Sequence, residues 1–272
     1  MQKKIAIVND ISGFGRCSVT VALPILSAMG ICCGIVPTAI LSNHTEYPEY
    51  SLLDFTPHME EYLSKWKKLS LEFDGIYTGF LGSEKQIQII LDMMEQFHFP
   101  SRIVDPVMGD HGVIYDSYTD EMCEGMRKLV AQATLITPNV TELCILTNHA
   151  YHEDIAISEI EDMCKSLASD GPARIVVTGI EKNDTIGNAI YDHGKFEVIY
   201  TKKVLPLRPG TGDVFASIMA GSSLHNTNLK DAVQTASDFI RTCLETSREM
   251  GIPINDGVCF EEHLRMLTNL FI

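Results

Sequence analysis

Short apolar runs rich in β-branched residues recur along this chain at intervals filled by helix-like segments, and that rhythm restricts its fold more than any other feature. Residues 3–8, 31–40, 75–78, 102–104, 134–136 and 174–178 read as strands. Helical spacing marks segments 83–97 and 117–131 and the apolar stretch 19–29, which ends at Gly30 as a helix should. Strands that alternate with helices form a parallel sheet with helices on both faces. Residues 186–192 and 196–200, separated by His-Gly-Lys, predict a hairpin and thus an antiparallel extension of the sheet. Ser158 and Glu161 have capping-box spacing and predict the start of the helix that leads into the strand at Arg174. After Asp213 the chain reads as helical to its end, apart from a loop around 253–257. The expectation is one α/β domain over residues 1–272, a doubly wound, mostly parallel sheet flanked by helices.

Charge and hydropathy narrow the function. With 21 Lys and Arg against 36 Asp and Glu, the net charge is −15, and no basic cluster is available to displace phosphate counterions. Nucleic acid is thereby excluded as a partner. No stretch approaches the about 20 apolar residues that span a bilayer, and residues 1–10 read as a strand, not a signal peptide. The expectation is a soluble cytoplasmic protein. Its eight cysteines are scattered among apolar neighbours, with no C-x-x-C pair and no Cys/His metal spacing, as buried thiols in a reducing compartment would be.

In an open parallel sheet, ligands bind beyond the carboxyl ends of the strands. The segments there are polar and glycine-rich: 9–15, SNHTEY at 42–47, GFLGS at 79–83, DPVMGDHG at 105–112, TPNVTE at 137–142 and TGIE at 178–181. The most distinctive string is RPGTGD at 208–213, followed at once by the apolar run 214–220. Its two glycines permit a tight turn and close approach to a ligand, and the helix behind it directs its first amides into that turn. Asp213 in such a turn repels an anion, unless the carboxylate takes the proton of a hydroxyl that attacks a phosphate. The plainer alternative is an acid complementing a helix dipole, worth about 0.3–1 kcal/mol. Asp105, Asp110 and Glu142 lie on the same sheet edge. Acidic groups gathered beside a phosphate call for a cation, and Mg²⁺ suits oxygen ligands and nucleotide phosphates. Each residue alone reads as a turn or cap residue, with Asn139 capping a helix from near Val140. Together they read as a site.

SNHTEY, GFLGS, DPVMGD, TPNVTEL and GTGD follow the order and spacing of the pyridoxal (vitamin B6) kinases of the ribokinase-like superfamily, which this chain resembles from about residue 5 to about residue 226. DPVMGD and TPN-x-x-E recur in the hydroxymethylpyrimidine kinases, whereas SNHT followed by an acid or amide and Tyr is more particular to the B6 kinases. The resemblance implies ATP- and Mg²⁺-dependent transfer of the γ-phosphoryl group to the 5′-hydroxymethyl of pyridoxal, pyridoxine or pyridoxamine. It also implies a small flap and a homodimer, and leaves a monovalent cation as a cofactor to be tested. By the same resemblance Asp213 receives the proton of the substrate hydroxyl, and the backbone of Gly210, Thr211 and Gly212 is the anion hole. Ser12 matches a serine that contacts the pyridine ring. Thr45 and Glu46 match a flap-side pair, with Glu46 where several members have glutamine. Phe80 stands where relatives often have tyrosine, which keeps ring stacking and removes a hydroxyl contact. His44 is either a pocket residue or a structural turn histidine. Asp105 and Glu142 match positions near metal and phosphates, and Asp110, Asn139, Thr178 and Gly179 match the nucleotide side.

Two readings from other classes fit less well. GFGRCS from Gly13 imitates a dinucleotide fingerprint, but Ser18 occupies the third glycine position and no acid closes the second strand, whose tail 36–42 is uncharged. A non-catalytic vitamin-binding protein has no need of an intact GTGD. A hydroxymethylpyrimidine kinase is the nearer alternative, because both substrates are flat heteroaromatic rings bearing a hydroxymethyl group and the phosphate-side motifs do not separate them.

Overall fold

Along the first strand, β1 (Lys4–Ser12), Ile5 and Ile7 enter one core while Ala6 and Val8 enter another, and all four are fully buried. A strand buried on both faces requires a layer of helices on each side. The computed structural model describes residues 1–271. After β1 come α1 (Val19–Ala28), β2 (Cys32–Leu41), β3 (Leu52–Asp54), α2 (Thr56–Lys68), β4 (Gly75–Thr78), α3 (Glu84–Gln96) and β5 (Ser101–Val104). β6 (Gly109–Asp110), β7 (Val113–Ile114), α4 (Asp120–Ala131), β8 (Leu135–Ile136), α5 (Val140–Thr147) and α6 (Ile157–Ala168) follow. The chain closes with β9 (Arg174–Lys182), β10 (Thr185–Asp192), β11 (Lys195–Lys202), α7 (Thr211–Leu224), α8 (Leu229–Glu249) and α9 (Leu264–Phe271).

Nine strands form one sheet in the order β11-β10-β9-β8-β5-β4-β1-β2-β3, and β6 with β7 makes a separate two-stranded ribbon. The run from β9 to β2 is parallel, while β3, β10 and β11 are antiparallel additions. Helices α2 to α6 cover the face that carries Ala6, Val8 and Val104. Helices α1, α7, α8 and α9 cover the face that carries Ile5, Ile7 and Ile103. This is the doubly wound, mostly parallel α/β sheet expected. The chain first steps from β1 to β2 on one side and then places β4, β5, β8 and β9 on the other, so the topological switch point lies between β1 and β4.

Local signals held where the backbone chemistry is simple. Gly30 closes α1 at φ 78°, with its amide on Ser27 O and that of Ile31 on Leu26 O. In the β10–β11 hairpin Asp192 pairs with Lys195, so the turn is His193-Gly194, one residue shorter than expected, and both have positive φ. Helix α6 begins ahead of the Ser158–Glu161 pair: Glu159 reaches back to accept the amide of Ala156 at 2.9 Å. A carboxylate alone makes that cap, with no polar side chain at the cap position itself. No helix among the described residues is long and apolar enough to cross a membrane.

Candidate active site at the switch point

Within β1, where the pairing register with β2 shifts, Asn9 stands buried at the switch point. Its Oδ1 accepts the amides of Phe80 at 2.9 Å and Asp10 at 3.0 Å, and its Nδ2 donates to Asp213 Oδ1 at 3.5 Å. Gly79, just after β4, admits this side chain, because a Cβ there would lie 2.4 Å from Asn9 Nδ2.

Asp213 sits in the first turn of α7, capped by Gly210 at φ 82°. A Cβ on Gly210 would lie 1.9 Å from the Arg16 carbonyl oxygen, so the turn needs both the positive φ and the missing side chain. By contrast, nothing lies within 4 Å of a Cβ placed on Gly212. The first helical bond runs from Val214 N to Gly210 O, so the amides of Thr211, Gly212 and Asp213 precede the ladder and have no partner within it. Burial pushes the Asp213 carboxyl up to about 6. The Ser18 amide opposes the shift, the nearby Asp10 charge adds to it, and the Asn9 amide opposes it.

Asp105, after β5, accepts Thr137 Oγ1 at 2.9 Å. Burial first, and then the charges of Glu142 and Asp213, hold it well above the usual carboxylate range. Glu142 is both site and scaffold. Its Oε1 accepts the Met108 amide at 2.9 Å, its Oε2 accepts the Asn139 amide at 2.8 Å, and Asn139 Oδ1 accepts the Glu142 amide at 2.9 Å. This reciprocal capping box starts α5, as expected of Asn139. Burial raises Glu142 to about 7 against the pull of the Asn139 and Met108 amides. Val107, in the turn that presents the Met108 amide, has φ 44°, a strained conformation for a β-branched residue. Asn139 also donates to Gly109 O at 2.8 Å and bridges to Thr178, and next to Thr178 the exposed Gly179 stands at φ 81° in open space. Asp110 is exposed on the β6–β7 ribbon, where its Oδ1 accepts the His111 amide at 2.8 Å.

On the opposite side the hydroxyls of Ser12 and Ser18 donate to the buried carboxylate of Asp10, at 3.1 and 2.5 Å. Toward any ligand Ser12 is therefore an acceptor. His44 is buried, with both ring nitrogens engaged: Nδ1 accepts the Glu46 amide at 3.2 Å, which leaves Nε2 to donate to Asn255 O at 2.6 Å. Tyr47 donates to Asp256 Oδ1 at 2.7 Å, and Asn255 Nδ2 donates to Glu46 O at 3.1 Å. These contacts fasten the SNHTEY loop to segment 252–257 and leave Thr45 and Glu46 exposed, with Phe80 half-buried at the mouth. The same segment is gripped from beneath by the buried guanidinium of Arg208, which donates to the carbonyls of Ile252, Pro253 and Gly257 at 2.7, 2.8 and 3.3 Å.

Topology thus brings Asp105, Asn139, Glu142, Thr178, Gly179 and Asp213 to one sheet edge, with Ser12 and the His44 loop flanking it. Asn9, Asp10 and Arg208 join them without having been singled out. The signal for Asn9 was its position as a polar residue directly after the apolar run 5–8, and for Arg208 it was a cation leading straight into a glycine turn.

Residues 26–257 match the model of the phosphomethylpyrimidine kinase family. The chain is 28% identical over 257 residues to the chloroplastic thiamine biosynthetic bifunctional enzyme of Arabidopsis thaliana, a match that covers 91% of this chain and 47% of that enzyme, so it spans about half of that relative's length. It is 28% identical over 251 residues to the pyridoxine/pyridoxal/pyridoxamine kinase of Bordetella avium, covering 86% of this chain and 82% of the relative. A Bacteroides thetaiotaomicron protein assigned as a phosphomethylpyrimidine kinase, solved in a crystal form with pyridoxal, superposes with a TM-score of 0.92 at 37% identity, covering 100% of this chain and 96% of that one. Because the family match runs from inside α1 to the segment that Arg208 grips, and takes in the Asp213 turn and the Asp105 and Glu142 loops, the chain belongs to the phosphomethylpyrimidine kinase family.

Proposed function

We propose that this kinase transfers the γ-phosphoryl group of ATP to the 5′-hydroxymethyl group of pyridoxal, pyridoxine or pyridoxamine. The observation that carries the proposal is Asp213, a carboxyl raised to about 6 and set beside the open first turn of α7. At pH 7 such a group is mostly ionised yet basic enough to take the proton of an attacking hydroxyl. The amides of Gly210, Thr211 and Gly212 receive the phosphoryl oxygens, and positioning together with charge neutralisation does most of the work. Ser12 accepts a hydrogen bond from the ring, Phe80 stacks beside it, and Thr45 and Glu46 close over it from the flap side. Asp110, Asn139, Thr178 and Gly179 form the nucleotide side.

The carboxyl cluster fits a divalent cation, because Asp105 is raised first by burial and then by the charges of Glu142 and Asp213, and a bound cation offsets both. Asp105 would hold the ion, and Glu142, both of whose oxygens accept backbone amides, would add its charge beside it. Mg²⁺, when bound, neutralises phosphate charge. We further propose that the protein works in the cytoplasm as a homodimer. Five of its eight cysteines are buried, as suits thiols of a reducing compartment, and sedimentation would measure the assembly.

Support for the vitamin B6 ring comes from SNHTEY, from the Bordetella relative and from the Bacteroides structure with pyridoxal. A second reading, phosphorylation of hydroxymethylpyrimidine, is favoured by the family model. A phosphorylation assay with ATP and Mg²⁺, with and without K⁺, across the three vitamers, hydroxymethylpyrimidine and ribose separates them. A dominant B6 vitamer supports the proposal, and a dominant pyrimidine overturns it.

A further inference from the structure

Away from the strand ends, three side chains able to bind metal converge where the chain passes from α5 to α6. His149, His152 and Glu159 each offer a ligand atom, and these atoms all lie within 4.8 Å of one another. The Nε2 atoms of both histidines stand 3.3 Å from Glu159 Oε2. A tetrahedral ion with ligands at about 2.0–2.1 Å separates neighbouring ligand atoms by about 3.3 Å, so both His–Glu edges match that geometry, and the edge between the two exposed imidazoles, within 4.8 Å, closes on the ion by side-chain rotation.

An outer contact completes the arrangement. Glu159 Oε1 accepts the Ala156 amide at 2.9 Å, which orients the carboxylate and leaves Oε2 between the two imidazoles. Ligating carboxylates are held by such outer hydrogen bonds. Asn148, in the left-handed region at φ 54°, turns the chain out of α5 so that His149 can face α6.

We propose that His149, His152 and Glu159 form a binding site for a Zn²⁺-class divalent ion, with a fourth position open to water. Two imidazoles and one carboxylate suit Zn²⁺, whereas Mg²⁺ prefers an all-oxygen shell, so this site is chemically separate from the carboxyl cluster at the strand ends. The ion staples the α5–α6 connection to the first turn of α6. Tyr151, between the two histidines, lies against the β6–β7 ribbon, where a Cβ on Gly112 would come within 2.4 Å of Tyr151 Cδ1. The staple therefore also holds Tyr151 against the ribbon that carries Asp110.

The full chain, stripped with a chelator, is titrated with Zn²⁺ by calorimetry and with Co²⁺ by visible absorption. The expected result is one equivalent bound, with tetrahedral Co²⁺ bands and no sulfur-to-cobalt charge transfer. His149→Ala and His152→Ala each weaken binding by at least about tenfold. Glu159→Gln, which keeps an acceptor for the Ala156 amide, weakens it as well, while Cys32→Ser and Cys33→Ser do not. Zn²⁺ also raises the thermal midpoint of the native chain and not that of the double histidine variant. These variants keep their Mg²⁺-supported kinase activity and their circular dichroism. Failure of the native chain to take up an equivalent, or equal uptake by the double variant, overturns the proposal; both outcomes leave the kinase assignment untouched.

Discussion

The side-chain amide of Asn9 meets the carboxylate of Asp213 at 3.5 Å, joining β1 to the start of α7 across 204 positions of sequence. On its other face Asn9 holds the backbone of Phe80 and Asp10. One buried side chain therefore positions Asp213 and the loop that follows β4. Asn9→Ala leaves those two amides without an acceptor and is expected to lose about 1–3 kcal/mol of stability by urea unfolding. Turnover of the folded fraction should fall as well, since Asp213 loses a lateral partner. Asn9→Asp, which sets a second carboxyl beside Asp213, should move the acid limb of the pH–rate profile upward. Unaltered stability and turnover in Asn9→Ala would show the contact to be idle.

The raised carboxyls make a signed prediction about pH. Asp213 rises from 3.8 to about 6 and Glu142 from 4.5 to about 7 on folding. Between each pair of values the folded state holds more protons than the unfolded chain, so stability declines as pH climbs through that window, and the raised carboxyl of Asp105 adds to the decline in the same direction. Asp213→Asn and Glu142→Gln should each flatten the decline in thermal unfolding measured without Mg²⁺. Adding Mg²⁺ at pH 7.5 should restore part of the loss in the native chain. Turnover follows the opposite course, rising through about pH 6 as Asp213 ionises. A native chain that gains stability steadily from pH 5 to 7, with no difference from the two variants, would contradict this.

Asp105 and Glu142 should respond differently to replacement. Asp105→Asn is expected to raise the Mg²⁺ concentration needed for half-maximal activity while leaving vitamer affinity unchanged. Glu142→Ala should raise that requirement and, by breaking the capping box of α5, also lose about 1 kcal/mol of stability. Equal Mg²⁺ dependence in both variants and the native chain would remove them from the cation's surroundings.

The doubly wound sheet was legible because strands covered on both faces must be apolar throughout, as in Ile5–Val8. What escaped was whatever lacks that pressure. All three residues of β3 are exposed, and α2 packs mainly through Met59 and Leu63 along a polar surface. Within the site, the residues carried by glycine turns and caps could be found in sequence, because each depends on neighbours a few positions away. Asn9 and Arg208 leave a local mark in the sequence but not their roles, since their partners lie 204 and about 45 positions off. His149 and His152 show a visible H-x-x-H spacing, but only the turn at Asn148 brings Glu159 between them.

Arg208 offers a test of how the RPGTGD motif reaches the ring pocket. Its guanidinium holds three carbonyls of segment 252–257, to which His44 and Tyr47 are fastened in turn. Lysine cannot reproduce that fork. Arg208→Lys should therefore lose about 1.5–3 kcal/mol of stability and raise the KM for the vitamer more than that for ATP. An equal rise in both would mean that the clamp serves the helix start and not the ring side.

The central claim is that Asp213 is the base of a phosphoryl transfer and not merely an acid at a helix start. Single-turnover transfer by Asp213→Asn tests it most directly, with thermal unfolding and nucleotide titration on the same preparation. Asparagine keeps the size of aspartate and cannot accept the substrate proton, so turnover should fall by roughly two to four orders of magnitude. Stability should change by no more than about 1 kcal/mol once the pH-dependent part is removed, and nucleotide binding should persist or tighten as a negative charge near the phosphates disappears. Near-normal turnover, or a loss that merely tracks unfolding, would contradict the account and send the search for the base elsewhere.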